Sequence, residues 1–294
     1  MLTEGFLITI AIITESYALA ILGLNIVMGY AGLPWLGHAA MVGVGGYVTA
    51  ILMVNYNLPV WIVVPASVAV ATITGVGVGL SALRLNQDFL AVATIGFNFA
   101  IQAFFAYTPY FGGFAGIVGI PFTSSPSLFL ALTSIVLVSA VVINRILSDS
   151  WIGLAWTSIR ENEMTAQAAG LRVNYYKMLA IAFGSAFAGL SGALQVYYLT
   201  SIAPSFLGFD QSILMVVAAV VGGLGTIVGP LFGATLIISL PDIFQFVSNY
   251  RLTIFGILIV VFMLFEPSGL FGNESRIRKK IEKWRSARSG RREQ

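Results

Sequence analysis

Long apolar runs separated by short polar stretches organise this chain. A helix that crosses a bilayer needs roughly 20 apolar residues. Runs at 5–30, 39–56, 59–83, 89–109, 127–147, 178–200, 211–221, 227–240 and 251–265 reach or approach that length. The pattern predicts an all-α fold: a polytopic transmembrane helix bundle with broken helices and about 8–9 crossings. The breaks are read from glycine and proline. Gly29, Gly32 and Pro34 stand at and just beyond the end of the first run, and Gly222, Gly223, Gly225, Gly229 and Pro230 interrupt 211–240. That last stretch is either two short helices meeting at a loop or one broken helix, because neither residue type favours a helix interior.

Charge then gives the layout a direction. The first 83 residues carry no Lys or Arg, and the basic residues concentrate at 145–177 and 276–292. Cytoplasmic loops hold excess Lys and Arg, so 145–177 is placed inside. Walking outward from there puts 84–88 inside, and 55–58, 110–126 and the N-terminus outside. Walking forward puts 201–210 outside. Two crossings within 211–240 bring the 222–226 turn inside, leave Arg251 outside and return the basic tail to the cytoplasm. One crossing would put that tail outside, so two are expected. Residues 273–294 carry nine basic and three acidic residues. Ile277, Ile281 and Trp284 share a stripe there, as an interfacial helix or as a disordered topological anchor would have it.

Composition narrows the class. The chain is 58% hydrophobic and 9% charged, against about 25% charged for soluble domains. The N-terminus lacks the positive flank of a signal peptide, so the first run is read as a retained membrane helix. With no Cys and one His, neither a thiolate nor a His-based metal site is expected. No nucleophile–base pair suggests catalysis, and nucleic acid is not an expected partner. Gly75/Gly79, Gly184/Ala188/Gly192 and Gly225/Gly229/Gly233 repeat every four residues, a spacing that suits close helix contacts.

Two groups of residues are candidates for function. The first is the polar stretch from Trp151 to Gly170, which reads as one or two short amphipathic helices ended by Gly170. It is longer than a helix connection needs, and a helical cytoplasmic loop of mixed charge suits docking to a soluble partner. The second is the set of polar residues inside the spans. Thr94, Asn98 and Gln102 form one helical stripe. Their side chains suit a zwitterion's amino and carboxylate groups, or they serve interhelical bonding worth about 0.6 kcal/mol each. Thr14 and Asn25 share a face of the first helix, with Glu15 adjacent. A membrane carboxylate is costly and points to function by default, as a substrate contact or as a paired structural group. His38 follows Pro34 and Gly37 at a break, where free backbone N–H groups attract an anion; it either contacts substrate or caps local backbone. Gln195 and Ser191 share a face and stand with it.

These residues also carry a resemblance. The segment Arg160-Glu-Asn-Glu-Met-Thr-Ala-Gln-Ala-Ala-Gly170-Leu-Arg-Val-Asn-Tyr-Tyr-Lys177 resembles the coupling segment of ABC importer permeases of the branched-chain amino acid type. Gly23-Leu-Asn25, Gly29-Tyr-Ala-Gly32 and Leu36-Gly-His-Ala39 resemble that family's first-helix exit. Gly112-Gly113 with Gly116-Ile-Val-Gly-Ile-Pro121 resembles its external loop. Gly222-Gly-Leu-Gly225 with Gly229-Pro230 resembles its glycine-rich break, and Pro267-Ser-Gly-Leu-Phe-Gly272 its closing segment. The likeness covers about 5–272 and is nearer the LivM-type subunit than its LivH-type partner. Glu266 and Asn98 depart from it, standing where relatives carry a basic residue and a carboxylate respectively.

The resemblance implies a permease domain over 1–272, with a cytoplasmic coupling segment at about 148–176, and a basic cytoplasmic C-terminal tail over 273–294. It implies a multi-pass protein of a prokaryotic plasma (inner) membrane. Its partners would be a second, LivH-like permease subunit, two cytoplasmic ATP-binding subunits, an external solute-binding protein and the lipid bilayer. Arg160, Glu161, Glu163, Ala166, Ala169 and Gly170 would couple to the ATPase. Thr94, Asn98, Gln102, Glu15, Asn25, His38 and Gln195 would line the solute pathway. The chain has no Gly-rich Lys-Ser/Thr phosphate loop, so ATP and Mg would be handled by partner subunits and no cofactor by this chain. The expected activity is import of a small polar or zwitterionic solute, above all branched-chain or other aliphatic amino acids, by alternating access. Urea, short-amide or sugar transport, or an ATPase-independent carrier or channel, remain the alternatives.

Overall fold

The computed structural model describes residues 4–84 and 87–239. The expected crossing at 251–265, the closing segment at 267–272 and the basic tail lie outside the described residues.

The first eight apolar runs are helices. They are α1 (Glu4–Leu24, running into a π-helical turn at Asn25–Tyr30), α2 (His38–Val54), α3 (Val60–Ala82), α4 (Gln87–Tyr107) and α5 (Pro126–Asp149). After two short helices, α6 (Trp151–Glu161) and α7 (Glu163–Ala168), come α8 (Val173–Leu199), α9 (Phe209–Gly222) and α10 (Val228–Ala234), the last ending in a second π turn at Thr235–Ser239. Glu4–Tyr30, α3, most of α4, α5 and α8 are long and apolar enough to cross a bilayer. Helix α8 begins five residues earlier than its apolar run, because the polar turn containing Asn174 and Lys177 is helical too.

Helix α8 is the hub and packs on α1, α2 and α3. Small residues make this possible. A Cβ at Gly45 of α2 would sit 2.5 Å from the Gly189 carbonyl oxygen of α8, and one at Gly23 of α1 would sit 2.7 Å from the Gly184 carbonyl oxygen. Close backbone approach replaces the hydrophobic drive that lipid removes. Helix α5 lies at the rim against α1 and exposes Ile135, Val138 and Ile146.

The stretch 211–240 is a hairpin of two short helices. A Cβ at Gly233 would strike the Ala218 carbonyl oxygen, and one at Gly222 the Gly229 carbonyl oxygen. Gly223 and Gly225, both with φ in the left-handed range, make the turn between α9 and α10. The turn lies at the same end of the bundle as α6, as two crossings require. At the opposite end, β1 (Ile117–Val118) pairs antiparallel with β2 (Ser201–Ile202), with Ile117 opposite Ile202. This tie joins two loops that the charge pattern places outside.

Candidate functional site

The chain between α1 and α2 leaves helical geometry at Ala31 and runs non-helically to Gly37. It folds back into the bundle, because His38 at the start of α2 bonds the Ala20 carbonyl oxygen at 2.9 Å. Ala20 lies nine residues before Gly29, roughly 13 Å along α1. Helix α2 therefore starts inside the protein, where no water serves its free N–H groups.

Other helices supply the caps. Ala39 N–H donates to Ser212 Oγ of α9 at 2.9 Å, and Ala40 N–H donates to Asn98 Oδ1 of α4 at 2.9 Å. These are the two positions that an N-cap side chain ordinarily serves. Here the N-cap is Gly37, whose Cβ, if present, would collide with the Thr94 carbonyl oxygen. Leu36 N–H donates to Thr94 Oγ1 at 3.1 Å, and Asn98 Nδ2 donates to the Leu207 carbonyl oxygen at 2.7 Å. The stripe foreseen on α4 thus faces the break. Thr94 and Asn98 are buried and bonded to backbone, and Gln102 is half-buried one turn further on. Ser212, which completes the set, was not foreseen; it lies 173 residues from its partner.

The other pathway candidates are scattered. Glu15 accepts from Thr133 Oγ1 and Ser134 Oγ of α5, both at 2.7 Å. The two hydroxyls occupy its two oxygens, and the carboxylate fastens α1 to α5. Glu15→Gln should keep solute uptake within about twofold, since hydroxyls can also accept from an amide and such bonds are worth about 0.6 kcal/mol. Abolished uptake with normal membrane levels would show that the charge itself is used. Gln195 lies within 3.4 Å of Ser191 Oγ, and Ser191 donates to the Ser16 carbonyl oxygen at 2.6 Å. Thr14 pairs with Ser239 at 2.8 Å. His38 leaves Nδ1 buried without a hydrogen bond, so Nε2 is the nitrogen that donates to Ala20. Asn25 is not near this cluster: it lies at the π turn and bonds the glycine-rich break. Oδ1 accepts from Gly225 N–H and Nδ2 donates to the Thr226 carbonyl oxygen, both at 2.8 Å.

At the same end, α6 and α7 form a ledge. Ser150 Oγ caps α6 by accepting from Ile152 N–H at 3.2 Å, and Asn162 Oδ1 caps α7 by accepting from Thr165 N–H at 3.0 Å. Gly170, at φ 89°, ends α7. Its N–H donates to the Gln167 carbonyl oxygen and the Leu171 N–H to Ala166, both near 3 Å. This is the paired Schellman closure that a left-handed glycine permits. Gly153, Ala155, Trp156 and Ile159 form the buried face of α6. Trp156 is fully buried and donates to the Tyr176 carbonyl oxygen at 2.8 Å. Glu163 pairs with Lys177 of α8 at 2.7 Å.

Three large apolar side chains project from the otherwise polar outer face of the ledge. Trp151 is 86% exposed, Leu154 58% and Met164 84%. Glu161, Ala169 and Gly170 are exposed beside them. A cavity of about 300 Å³ next to α7 is lined by Gly170, Leu171, Arg172, Tyr175 and Tyr176. Ala166, expected to touch a partner, is buried against Ile159 and Val173; Arg160 is exposed and its guanidinium also donates to the Gly29 carbonyl oxygen.

Comparison with known proteins bears on this arrangement. A family described as branched-chain amino acid transport system / permease component matches residues 6–264. The chain is 29% identical to the high-affinity branched-chain amino acid transport system permease protein LivM of Escherichia coli (strain K12), over 90% of this chain and 69% of that protein. It is 30% identical to LivM of Salmonella typhimurium over the same shares. With the permease protein LivH of that species the identity is 25%, over 88% of this chain and 92% of the relative.

Proposed function

The chain belongs to the permease-component family of branched-chain amino acid transport systems, and on that premise we propose that it carries branched-chain amino acids inward as one of two paired permease subunits. A LivH-like chain is its partner within the bilayer. An external solute-binding protein delivers the amino acid, and two ATP-binding subunits that hydrolyse ATP with Mg drive the cycle from the cytoplasm. The C-terminus and the α6–α7 ledge both face that side.

The observation that carries this reading is the ledge itself. A soluble partner is the natural cover for a tryptophan, a leucine and a methionine that project from the polar end of a membrane bundle. Their positions are rigid, because Trp156, the two caps and the Glu163–Lys177 pair fix the helices beneath them. The solute path runs beside the α2 break, where Thr94 and Asn98 meet the start of the helix at His38, with Gln102 one turn further along α4. There polar side chains from α4 and α9 gather at a helix discontinuity, the kind of place where transporters build their sites.

The test is leucine uptake into proteoliposomes that hold the four-subunit complex and the binding protein. Uptake should require ATP and vanish with a hydrolysis-dead ATP-binding subunit. Uptake indifferent to that change would indicate a carrier or channel, and preference for urea, an amide or a sugar would reassign the solute. A second expectation concerns the ledge. Trp151→Ser together with Leu154→Ser should weaken capture of the ATP-binding subunits by about tenfold or more, as loss of a tryptophan anchor does. The melting temperature of the permease should not change, since both side chains are exposed. Undiminished co-purification would remove this face as the contact.

A further inference from the structure

Arg160 is exposed on α6, yet its guanidinium reaches back to another segment of the protein. Nη1 donates to the Gly29 carbonyl oxygen in the π turn that ends α1. The arginine stem covers Gly32, where a Cβ would come within 2.7 Å of Cγ. Its head also lies over the turn between α9 and α10, where a Cβ at Gly225 would come within 2.9 Å of Nη1. Asn25 closes the same junction from the other side by bonding Gly225 N–H and the Thr226 carbonyl oxygen. Three segments distant in sequence therefore meet at one guanidinium.

We infer that Arg160 is a positioning residue, a latch that ties the ledge to the π turn of α1 and to the α9–α10 turn so that the three move as one body. The inference rests on the reading of α6–α7 as the motor's docking ledge, but it assigns Arg160 a task inside the permease and not on the ATPase. Both tied segments can bend. A π turn has departed from the regular i→i−4 ladder, and Gly223 and Gly225 already occupy the left-handed region. The donor suits the task as well, because a planar guanidinium can address more than one carbonyl in a fixed geometry, which an ammonium cannot. Motion imposed on α6 thus reaches the end of α1 through the Arg160–Gly29 bond, and the α9–α10 turn through the head packed on Gly225 and the Asn25 bonds beside it.

The chain contains no cysteine, so spin labels can be placed in pairs on it within a complete transporter assembled with cysteine-free partner subunits. One pair joins Thr157→Cys on α6 to Val228→Cys at the start of α10; both positions are exposed. A reference pair joins Thr157→Cys to Val118→Cys in the opposite end's β1, which is 70% exposed. Distances are measured with and without ATP, using a hydrolysis-dead ATP-binding subunit. The reference distance should change with ATP, while the 157–228 distance stays fixed. Arg160→Met keeps the stem over Gly32 and removes every donor. It should make the 157–228 distance respond to ATP and lower uptake about tenfold, the scale of a typical allosteric coupling, with ATP hydrolysis and subunit capture retained. Arg160→Lys, which keeps a donor, should recover part of both.

A 157–228 distance that already shifts in the parent, or that stays fixed in Arg160→Met, overturns the latch and leaves the docking reading standing. Loss of ATP-binding subunits from Arg160→Met would make the arginine a docking contact and also overturn it. A reference distance indifferent to ATP would remove the docking reading and the latch together.

Discussion

Replacing Gly192 with leucine should leave no folded permease. Gly192 lies where α8 crosses α2, and a Cβ there would collide with the Val42 carbonyl oxygen, with the Val42 carbonyl carbon at 2.8 Å and Gly46 N at 3.0 Å. All three obstacles are backbone atoms of a buried helix, so no side-chain rotation relieves the clash. The crossing is tight along its length, since Gly45 meets the Gly189 carbonyl oxygen one turn away. Overpacking a core costs about 1–3 kcal/mol where side chains can yield, and here the helices themselves must separate. Gly192→Ala should therefore cost about 3 kcal/mol or more. Leucine should abolish the monodisperse peak in detergent gel filtration. A leucine variant that elutes and melts like the parent would mean that α2 and α8 do not approach as described.

Asn98→Leu should be the most damaging change among the polar residues. Leucine is close in volume, so the loss is one of hydrogen bonding. Ala40 N–H and the Leu207 carbonyl oxygen each lose their buried partner. An unsatisfied buried group costs about 1–3 kcal/mol, which gives about 2–6 kcal/mol for the pair. Asn98→Asp keeps the acceptor for Ala40 but turns a carboxylate oxygen toward the Leu207 carbonyl, so it should recover less than half of the loss. Thermal unfolding in detergent measures the cost, and leucine uptake measures its effect on the path. An Asn98→Leu protein as stable as the parent would show that α2 is not capped from α4.

The elements that a local rule governs were legible in the chain. Apolar runs report helices directly, so eight runs became eight helices with small shifts at their ends, five of them long enough to cross a bilayer. Gly170 follows a short amphipathic helix and does close it in a left-handed conformation. The glycine-rich stretch left two options open, and the contacts of Gly222 and Gly233 with the other arm of the hairpin decide between them. Polar side chains were harder to assign, because their partners are distant in sequence. Ala40 and Asn98 are 58 residues apart, Glu15 and Thr133 are 118 apart, and Arg160 and Gly29 are 131 apart. Spacing on one helix shows that such residues share a face but does not show what the face meets. That is why Asn25 was grouped with the pathway while its bonds to Gly225 and Thr226 were not foreseen, nor the bond from Arg160 to Gly29.

The same distribution separates two kinds of work. Residues around the α2 break hold a discontinuous helix in place inside the bundle. Those around Gly29, Arg160 and Gly225 join the ledge to segments that can bend. The first arrangement suits a site that must be polar without carrying fixed charge, and the second suits a device that relays movement.

Labelling at Met164, the most exposed apolar residue of α7, tests the central claim most directly. A Met164→Cys chain should resist a membrane-impermeant maleimide in intact cells. It should react in inverted vesicles stripped of the ATP-binding subunits, and become protected when those subunits are added back. Reaction in intact cells would invert the topology. Reaction undiminished by the added subunits would mean that the ledge is not where the motor holds the permease.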